Sequence, residues 1–397
     1  MNKVIYLDNA ATTKPLEIVA DCVRETMLEV YGNPSSLHKK GMEAENILKE
    51  ANKFFAKALG CTLDEIYYTS GGTESNNLSI IGTAMAYKRY GTRIITSQIE
   101  HPSVGEVYKY LESLGFEIVT IGVNNEGYLN VDELKANIND NTILVSVMHV
   151  NNELGTIQDI EQIGKLIKDC NKQTIFHVDA VQSFAKTPLN VKKAKVDLLS
   201  ISGHKFYGPR GIGILYKNKE IRLQQQLFGG GQQKNLRSGT ENVAGVNGAR
   251  IAATYVINNQ KEILEHMLTL KIKLANGVQT ALQDVWVNGP GLESGAPYIL
   301  NMGFKDVRAE VLLHALEQEG IYVSSSSACS THKKEKAGVL KAIGLRDHSL
   351  ENAIRFSFSH DTKIEDIDKV IQVIIEQVTK LRKYVPGGNK IEKCIFN

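Results

Sequence analysis

Residues 196–216 read VDLLSISGHKFYGPRGIGILY. Two apolar runs, VDLLSIS and GIGILY, bracket a turn carrying Gly203 and Gly208, with Gly211 opening the second run and Gly213 within it. Runs apolar on both faces are the mark of strands covered on both sides of a sheet. The first run ends in Ser202, Gly203, His204 and Lys205, which puts a lysine at the mouth of a buried strand. The glycines beyond it let backbone pack closely around a ligand and let the chain reverse into the next strand.

The same rhythm extends outward. From about residue 65 to 216, the runs EIYYT, RIITS, EIVTI, TILVSVM, TIFHVDA, VDLLSIS and GIGILY alternate with helix-length stretches. This alternation predicts an α/β fold with a mostly parallel sheet covered by helices. A looser stretch, LFGGGQQKNLRSGTENVAG, leads into helical patterns that continue to about residue 285. Beyond it, APYILNMGF, IYVSSSSA and AIRFSFS mix with helices and predict a smaller α+β domain. The expected division is a large domain over 15–256 and a small one built from 1–14 and 257–397. In the last helix, Thr362 and Glu365 have capping-box spacing, and Ile364, Ile367, Val370, Ile371, Ile374, Ile375, Val378 and Leu381 form one apolar stripe.

Bulk properties narrow the class. The chain has 397 residues, 42% of them hydrophobic, and its basic residues exceed its acidic ones by only two. Without a basic stripe, nucleic acid is not an expected partner. The N-terminal stretch lacks the apolar centre of a leader and no run is long enough to span a bilayer, so a cytoplasmic protein with no membrane partner is expected. Cys22, Cys61, Cys170, Cys329 and Cys394 are scattered without CxxC spacing, which argues against a metal site and a disulfide framework.

Polar residues collect at the ends of the predicted strands. SGGTESNN follows IYYT, EHP follows RIITSQI, NNELG follows VSVMHV, and GHK follows LLSIS. In open α/β sheets that edge is where ligands bind. Gly72 and Thr73 stand where a helix begins and could hold a phosphate on free backbone N–H groups, although Gly-Gly-Thr is more often only a turn. Neither a P-loop nor GxGxxG is present. Asp179, in an apolar strand, needs either an ion pair to Lys or Arg or a ligand such as a protonated pyridine nitrogen; Gln182 is three residues on. Lys205 is either a surface lysine before a turn or a partly desolvated amine suited to Schiff-base chemistry. Cys329, in SSSSACSTHKKEK, has small polar neighbours and is followed by His332, Lys333, Lys334 and Lys336, which favours a reactive thiolate.

The ordered motifs YLDNAATT, YGNPSSLH, TSGGTESNN, EHPSV, MHVNNELGTIQDI, HVDAVQS, SGHKFYGPRGIG, RSGTEN, SSACS and IRFSFS resemble those of the NifS/IscS-like cysteine desulfurases, pyridoxal-phosphate enzymes of aminotransferase class V. The resemblance runs from about residue 5 to the last helix. It implies the type I fold of pyridoxal-phosphate-dependent transferases and a pyridoxal 5'-phosphate cofactor. Lys205 resembles the lysine that carries the cofactor, Asp179 the partner of its ring nitrogen, and Gln182 the donor to its ring hydroxyl. His101 resembles the residue stacked on the ring and placed to shuttle protons. Thr73, Ser202 and His204 resemble the phosphate ligands, Thr240 one given by the other subunit of a homodimer, and Asn152 the asparagine beside the cofactor. Arg355 resembles the arginine that grips the substrate carboxylate, with Asn33 assisting. Cys329 resembles the nucleophile that takes sulfur from L-cysteine as a persulfide, releasing L-alanine. The acceptors implied are iron–sulfur scaffold proteins or tRNA-thiolation enzymes. A selenocysteine lyase or another class V enzyme would share Lys205 and Asp179. A non-catalytic partner keeping the fold for binding alone would not need the intact Lys, Asp, His and Cys set. Ser326 replaces a glycine common in the family, and the tail VPGGNKIEKCIFN, with Cys394, does not resemble that of the members that dock a scaffold protein.

Overall fold

The computed structural model describes residues 3–325 and 338–384. Its large sheet holds β1 (Ile66–Thr69), β2 (Arg93–Ser97), β3 (Glu117–Ile121), β4 (Thr142–Met148), β5 (Ile175–Asp179), β6 (Leu198–Ser202) and β7 (Gly213–Lys217), in the order β1-β7-β6-β5-β4-β2-β3. The five strands from β6 to β3 are mutually parallel. Strand β7 runs antiparallel to both β6 and β1, so the sheet is mixed on that side. The reason is the connection between β6 and β7, residues 203–212, which is shorter than the roughly dozen or more residues of a parallel crossover.

Two of its glycines serve the reversal. A Cβ on Gly208 would lie 2.7 Å from the Gly203 carbonyl oxygen, and Gly211 has φ +76°. Tyr207 shares that left-handed conformation, unusual for a bulky residue, at φ +66°. It is held by its backbone N–H, which donates to Thr13 Oγ1 at 2.8 Å, and by its hydroxyl, which accepts from the His360 N–H at 3.2 Å.

Alternation along the strands fills both faces. Helices α1 (Glu17–Glu29), α2 (Lys39–Leu59), α3 (Gly72–Tyr87), α4 (Pro102–Ser113), α5 (Ile160–Cys170) and α6 (Val243–Asn258) surround the sheet. Ile94, Leu144, Ile175 and Leu198 pack with Ile80 of α3 and Val107 and Leu111 of α4. Their neighbours Ile95, Val145, Phe176 and Leu199 pack on the opposite side with Ile163 and Ile167 of α5 and Ala249, Ala252 and Val256 of α6.

Helix α7 (Gln260–Ala281) leads to a second sheet of β8 (Val285–Asn288), β9 (Ile299–Phe304), β10 (Ser324–Ser325) and β11 (Ala353–Ser357), ordered β10-β11-β9-β8 and antiparallel throughout. Helices α8 (Ala309–Gln318) and α9 (Ile364–Arg382) pack on each other, and α9 also packs on α7. Strand β8 was not anticipated, because VWVN follows directly on a helical pattern. The N-terminal segment joins this part: Ile5–Tyr6 pairs in parallel with Ile321–Tyr322, and Ser357 N–H donates to the Leu7 carbonyl at 2.7 Å.

In α9, Ile367, Val370, Ile374 and Val378 are buried and Ile371, Ile375 and Leu381 pack at their margin, while Ile364 is exposed. The expected capping box at Thr362 and Glu365 does not form, since Lys363 occupies the cap position and Thr362 Oγ1 instead accepts from the Ser359 N–H at 3.1 Å. A capping box is present at Thr62 and Glu65, before β1. No helix of the described residues is long and apolar enough to cross a membrane.

Candidate active site

A cavity of about 370 Å³ opens at the C-terminal edge of the parallel strands. Its lining brings together Gly72, Thr73, His101, Asn152, Asp179, Gln182, Ser202, His204, Lys205 and Arg355, with Ala10, Ala11, Ser103, Met148 and Val181 completing the wall. Thr240 and Asn33 are exposed and lie outside that lining; Asn33 Oδ1 accepts from the Ser35 N–H at 2.9 Å in a local turn. Cys329 and Cys394 lie outside the described residues.

Lys205 closes a short 3₁₀ turn, Gly203–Lys205, immediately after β6. Its half-buried Nζ donates to the carbonyls of Ala10 at 2.6 Å and Ala11 at 2.8 Å. These carbonyls are brought there because Thr13 pairs with the same turn, its backbone N–H and Oγ1 both donating to the His204 carbonyl at 3.0 and 2.9 Å.

Asp179, the last residue of β5, is 4% exposed. The ion pair to Lys or Arg, one reading of it from sequence, is not what holds it. Its Oδ2 accepts from Asn76 Nδ2 at 2.8 Å and its Oδ1 from the Val181 N–H at 2.9 Å, so among the described residues the buried carboxylate is held by neutral donors. Gln182 Nε2 donates to the Ala10 carbonyl at 2.8 Å, while its Oε1 is buried without a partner.

The EHP motif has a structural basis. Proline at the first helical position of α4 keeps His101 extended (φ −65°, ψ 149°), and the ring turns back to cap the helix, Nδ1 accepting from the Ser103 N–H at 3.1 Å. Enclosure by the cavity wall lowers the His101 pKa, and the charge of Lys205 lowers it further against the opposing pull of Asp179. The positive end of the helix acts in the same sense.

The other end of the cavity suits an anion. Helix α3 starts at Gly72 with no side-chain cap, leaving first-turn N–H groups open beside Thr73. A Cβ at Gly72 would come within 2.6 Å of Val181 Cγ2, so only glycine lets the helix start this close to the sheet. Glu74 of the same turn is occupied by Arg237, with Nε to Oε1 at 2.7 Å. His204 is held down to about 4 by burial, reinforced by Lys205, Arg210 and Lys186.

Several contributors were not singled out from sequence. Asn76 and Ser103 were hidden inside quoted motifs. Lys186 is buried, its pKa pushed down to about 7 by burial with Lys205 adding to the effect. Its Nζ lies 3.9 Å from the Tyr298 ring centroid and 3.3 Å from the Lys205 carbonyl. Glu100 is enclosed and its carboxyl is pushed up to about 8, chiefly by burial, with Asp179 adding to the effect. Asp8 holds Arg355: Nη2 donates to Asp8 Oδ1 at 2.7 Å and Nη1 to the Asn152 carbonyl at 3.0 Å, and the buried Nε has no partner.

Two lining residues therefore keep unspent polar atoms among the described residues, Gln182 Oε1 and Arg355 Nε, next to a buried carboxylate held by neutral donors, an open helix N-terminus and a lysine amine. That donor set fits an anionic, ring-bearing aldehyde such as pyridoxal phosphate and a carboxylate-bearing substrate.

Comparison with known proteins agrees. The aminotransferase class-V family matches residues 5–370. The chain is 41% identical over 386 residues to the cysteine desulfurase IscS of Dictyoglomus turgidum, covering 97% of each. Among solved structures it resembles a NifS-like protein (TM-score 0.90, 36% identity, 95% of this chain and 100% of that one) and SspA in complex with cysteine (TM-score 0.78, 31% identity, 89% and 99%). The chain belongs to the aminotransferase class-V family, among its pyridoxal-phosphate-dependent cysteine desulfurases of the IscS/NifS kind.

Proposed function

We propose that the cavity removes sulfur from L-cysteine with Lys205, His101 and Cys329 as the reacting groups. The observation that carries this reading is that Lys205 and Asp179, at the ends of adjacent strands, line one cavity together with Arg355. Bound pyridoxal phosphate supplies the electron sink that labilises bonds at the substrate's Cα. Lys205 holds the cofactor covalently, Asp179 stabilises the protonated ring nitrogen, Gln182 and Asn152 meet ring substituents, and Gly72, Thr73, Ser202 and His204 hold the phosphate. Arg355 takes the substrate carboxylate and His101 moves protons at the ring face. Cys329 attacks the substrate sulfur: the carbon–sulfur bond breaks, a sulfur–sulfur bond forms, the thiol proton is passed on to the departing alanine, and no outside oxidant or reductant is needed. Ser324 sits opposite Arg355 in the β10–β11 pair, and Cys329 follows four residues after Ser325, a length of chain that spans at most about 14 Å.

We also propose a cytoplasmic homodimer with the large unit over 15–256 and the small one over 1–14 and 257–397. Exposed Leu37 and Phe228, at 98% and 78%, support a second copy, which would supply Thr240 to the site, with Asn33 assisting Arg355. The sulfur passes on to a scaffold protein for iron–sulfur clusters or to a tRNA-thiolation enzyme.

Sulfur-labelled cysteine tests the reading. One alanine is expected for each labelled sulfur appearing on the protein, and the label should leave with dithiothreitol. Conversion of cysteine with no protein-bound label would overturn it; adding candidate acceptors then shows which one takes the label.

Arg355→Lys keeps the charge beside Asp8 but loses the forked geometry. It should raise KM for cysteine about tenfold or more with a smaller change in kcat, read from initial rates of alanine formation.

A further inference from the structure

Asp179 and His101 are joined by two side chains whose polarity can be worked out. Asn76, in the second turn of α3, is 1% exposed. Its Nδ2 donates to Asp179 Oδ2 at 2.8 Å and to Ser103 Oγ at 2.9 Å, spending both amide hydrogens. The amide cannot be turned over, because a carboxylate only accepts and must meet the NH₂ group. Asn76 Oδ1 is consequently left buried without a partner, a costly arrangement. Ser103 Oγ, having accepted from Asn76, lies 2.8 Å from His101 Nδ1 with its own hydrogen available. The Ser103 backbone N–H donates to the same nitrogen at 3.1 Å. Two donors converging on Nδ1 require that it carry no proton, which places the neutral ring's proton on Nε2.

We infer that Asn76 and Ser103 are positioning residues that tie His101 to Asp179 and fix the Nε2–H tautomer of the histidine. The inference rests on the reading of Asp179 and His101 as the groups flanking the cofactor ring, and gives them a shared support. An unlinked imidazole would populate both neutral tautomers; this one is committed, so the exchangeable proton is carried by the nitrogen not engaged with the helix. Asn76 serves this purpose because its NH₂ group donates to both sides at once.

The test uses full-length, cofactor-loaded protein with ¹⁵N-labelled histidine, the His101 signals assigned by their loss in His101→Gln. At pH 8 the wild type should show an unprotonated Nδ1 and a protonated Nε2. Ser103→Ala removes the hydroxyl donor but keeps the backbone N–H, so it should move both nitrogens part of the way toward averaged values and lower kcat for alanine formation about tenfold, the lower end of what loss of an orienting partner costs, with little change in KM. Ser103→Thr, which keeps the hydroxyl, should restore both. Asn76→Ala, which keeps the Ser103 hydroxyl but removes the donor that orients it, should shift the nitrogens in the same direction by less. Unchanged ¹⁵N shifts in a folded Ser103→Ala protein overturn the inference, whatever happens to kcat. A full-rate His101→Ala enzyme would instead remove the catalytic reading of His101, while the nitrogen shifts would still decide the linkage.

Discussion

Replacing Lys205 with alanine should give a folded, colourless protein that makes no measurable alanine from cysteine, a loss on the order of 10⁴-fold or more. The fold should survive because the Lys205 amine lies at the cavity wall, where water can take over its hydrogen bonds to the Ala10 and Ala11 carbonyls at a cost of about 1 kcal/mol. Among the described residues no neighbouring amine can stand in. Lys186 approaches the Lys205 carbonyl but is buried against the Tyr298 ring, and reaching the cavity would cost that cation–π contact. Lys205→Arg separates charge from chemistry: it keeps a cation beside the two carbonyls but cannot form the carbon–nitrogen bond, so it should be as inactive as the alanine variant. Visible absorbance after cofactor addition, followed by dialysis, reads this directly. Retained colour together with turnover in Lys205→Ala would show that the cofactor is held elsewhere.

Lys205 and Asp179 stand out in the sequence because each interrupts an apolar run at its C-terminal end, where a buried strand meets the ligand-binding edge of a sheet. The groups that hold them are less legible. Ala10 and Ala11 act through backbone carbonyls nearly two hundred residues from Lys205, and a carbonyl leaves no trace in side-chain pattern. Asn76 is one of two adjacent asparagines in a helix with little amphipathic contrast, and its neighbour Asn77 makes only ordinary contacts to the carbonyls of Thr73 and Ser103 and one from Gln226. Only the crossing of α3 over the end of β5 separates the two. The reversal of β7, by contrast, could have been read from the shortness of the GPRG connection. Thr362 shows the opposite failure: the capping spacing is real, but a competing N–H at Ser359 takes the hydroxyl. Arg355 was recognised, whereas its partner Asp8 comes from the other end of the chain, brought to it by the pairing of Ile5–Tyr6 with Ile321–Tyr322 and by the bridge from Asp8 to Ser357.

Cys329→Ser should abolish protein-bound sulfur and reduce alanine release to background, on the order of 10³-fold or more, while leaving the colour and cofactor binding intact. The other cysteines that the structure describes are poor substitutes, each for its own physical reason. Burial pushes the Cys61 thiol up to about 12, with Glu65 adding to the effect, so its thiolate is scarce at neutral pH. Cys22, half-buried on α1, is raised in the same direction by burial. Cys170 is exposed, but it ends α5 just before β5 begins, at the edge of the sheet opposite the cavity. The length of β5, about 13 Å at 3.3 Å per residue, separates it from the level of Asp179. Cys170→Ser should therefore leave both alanine release and bound sulfur unchanged. Serine at 329 is close in size to the thiol but cannot form the sulfur–sulfur bond, so loss of label with unaltered absorbance would isolate the transfer step from cofactor binding. Persistent labelling in Cys329→Ser that disappears only when Cys170 is also replaced would move the nucleophile to the far edge and leave the cavity without a sulfur acceptor.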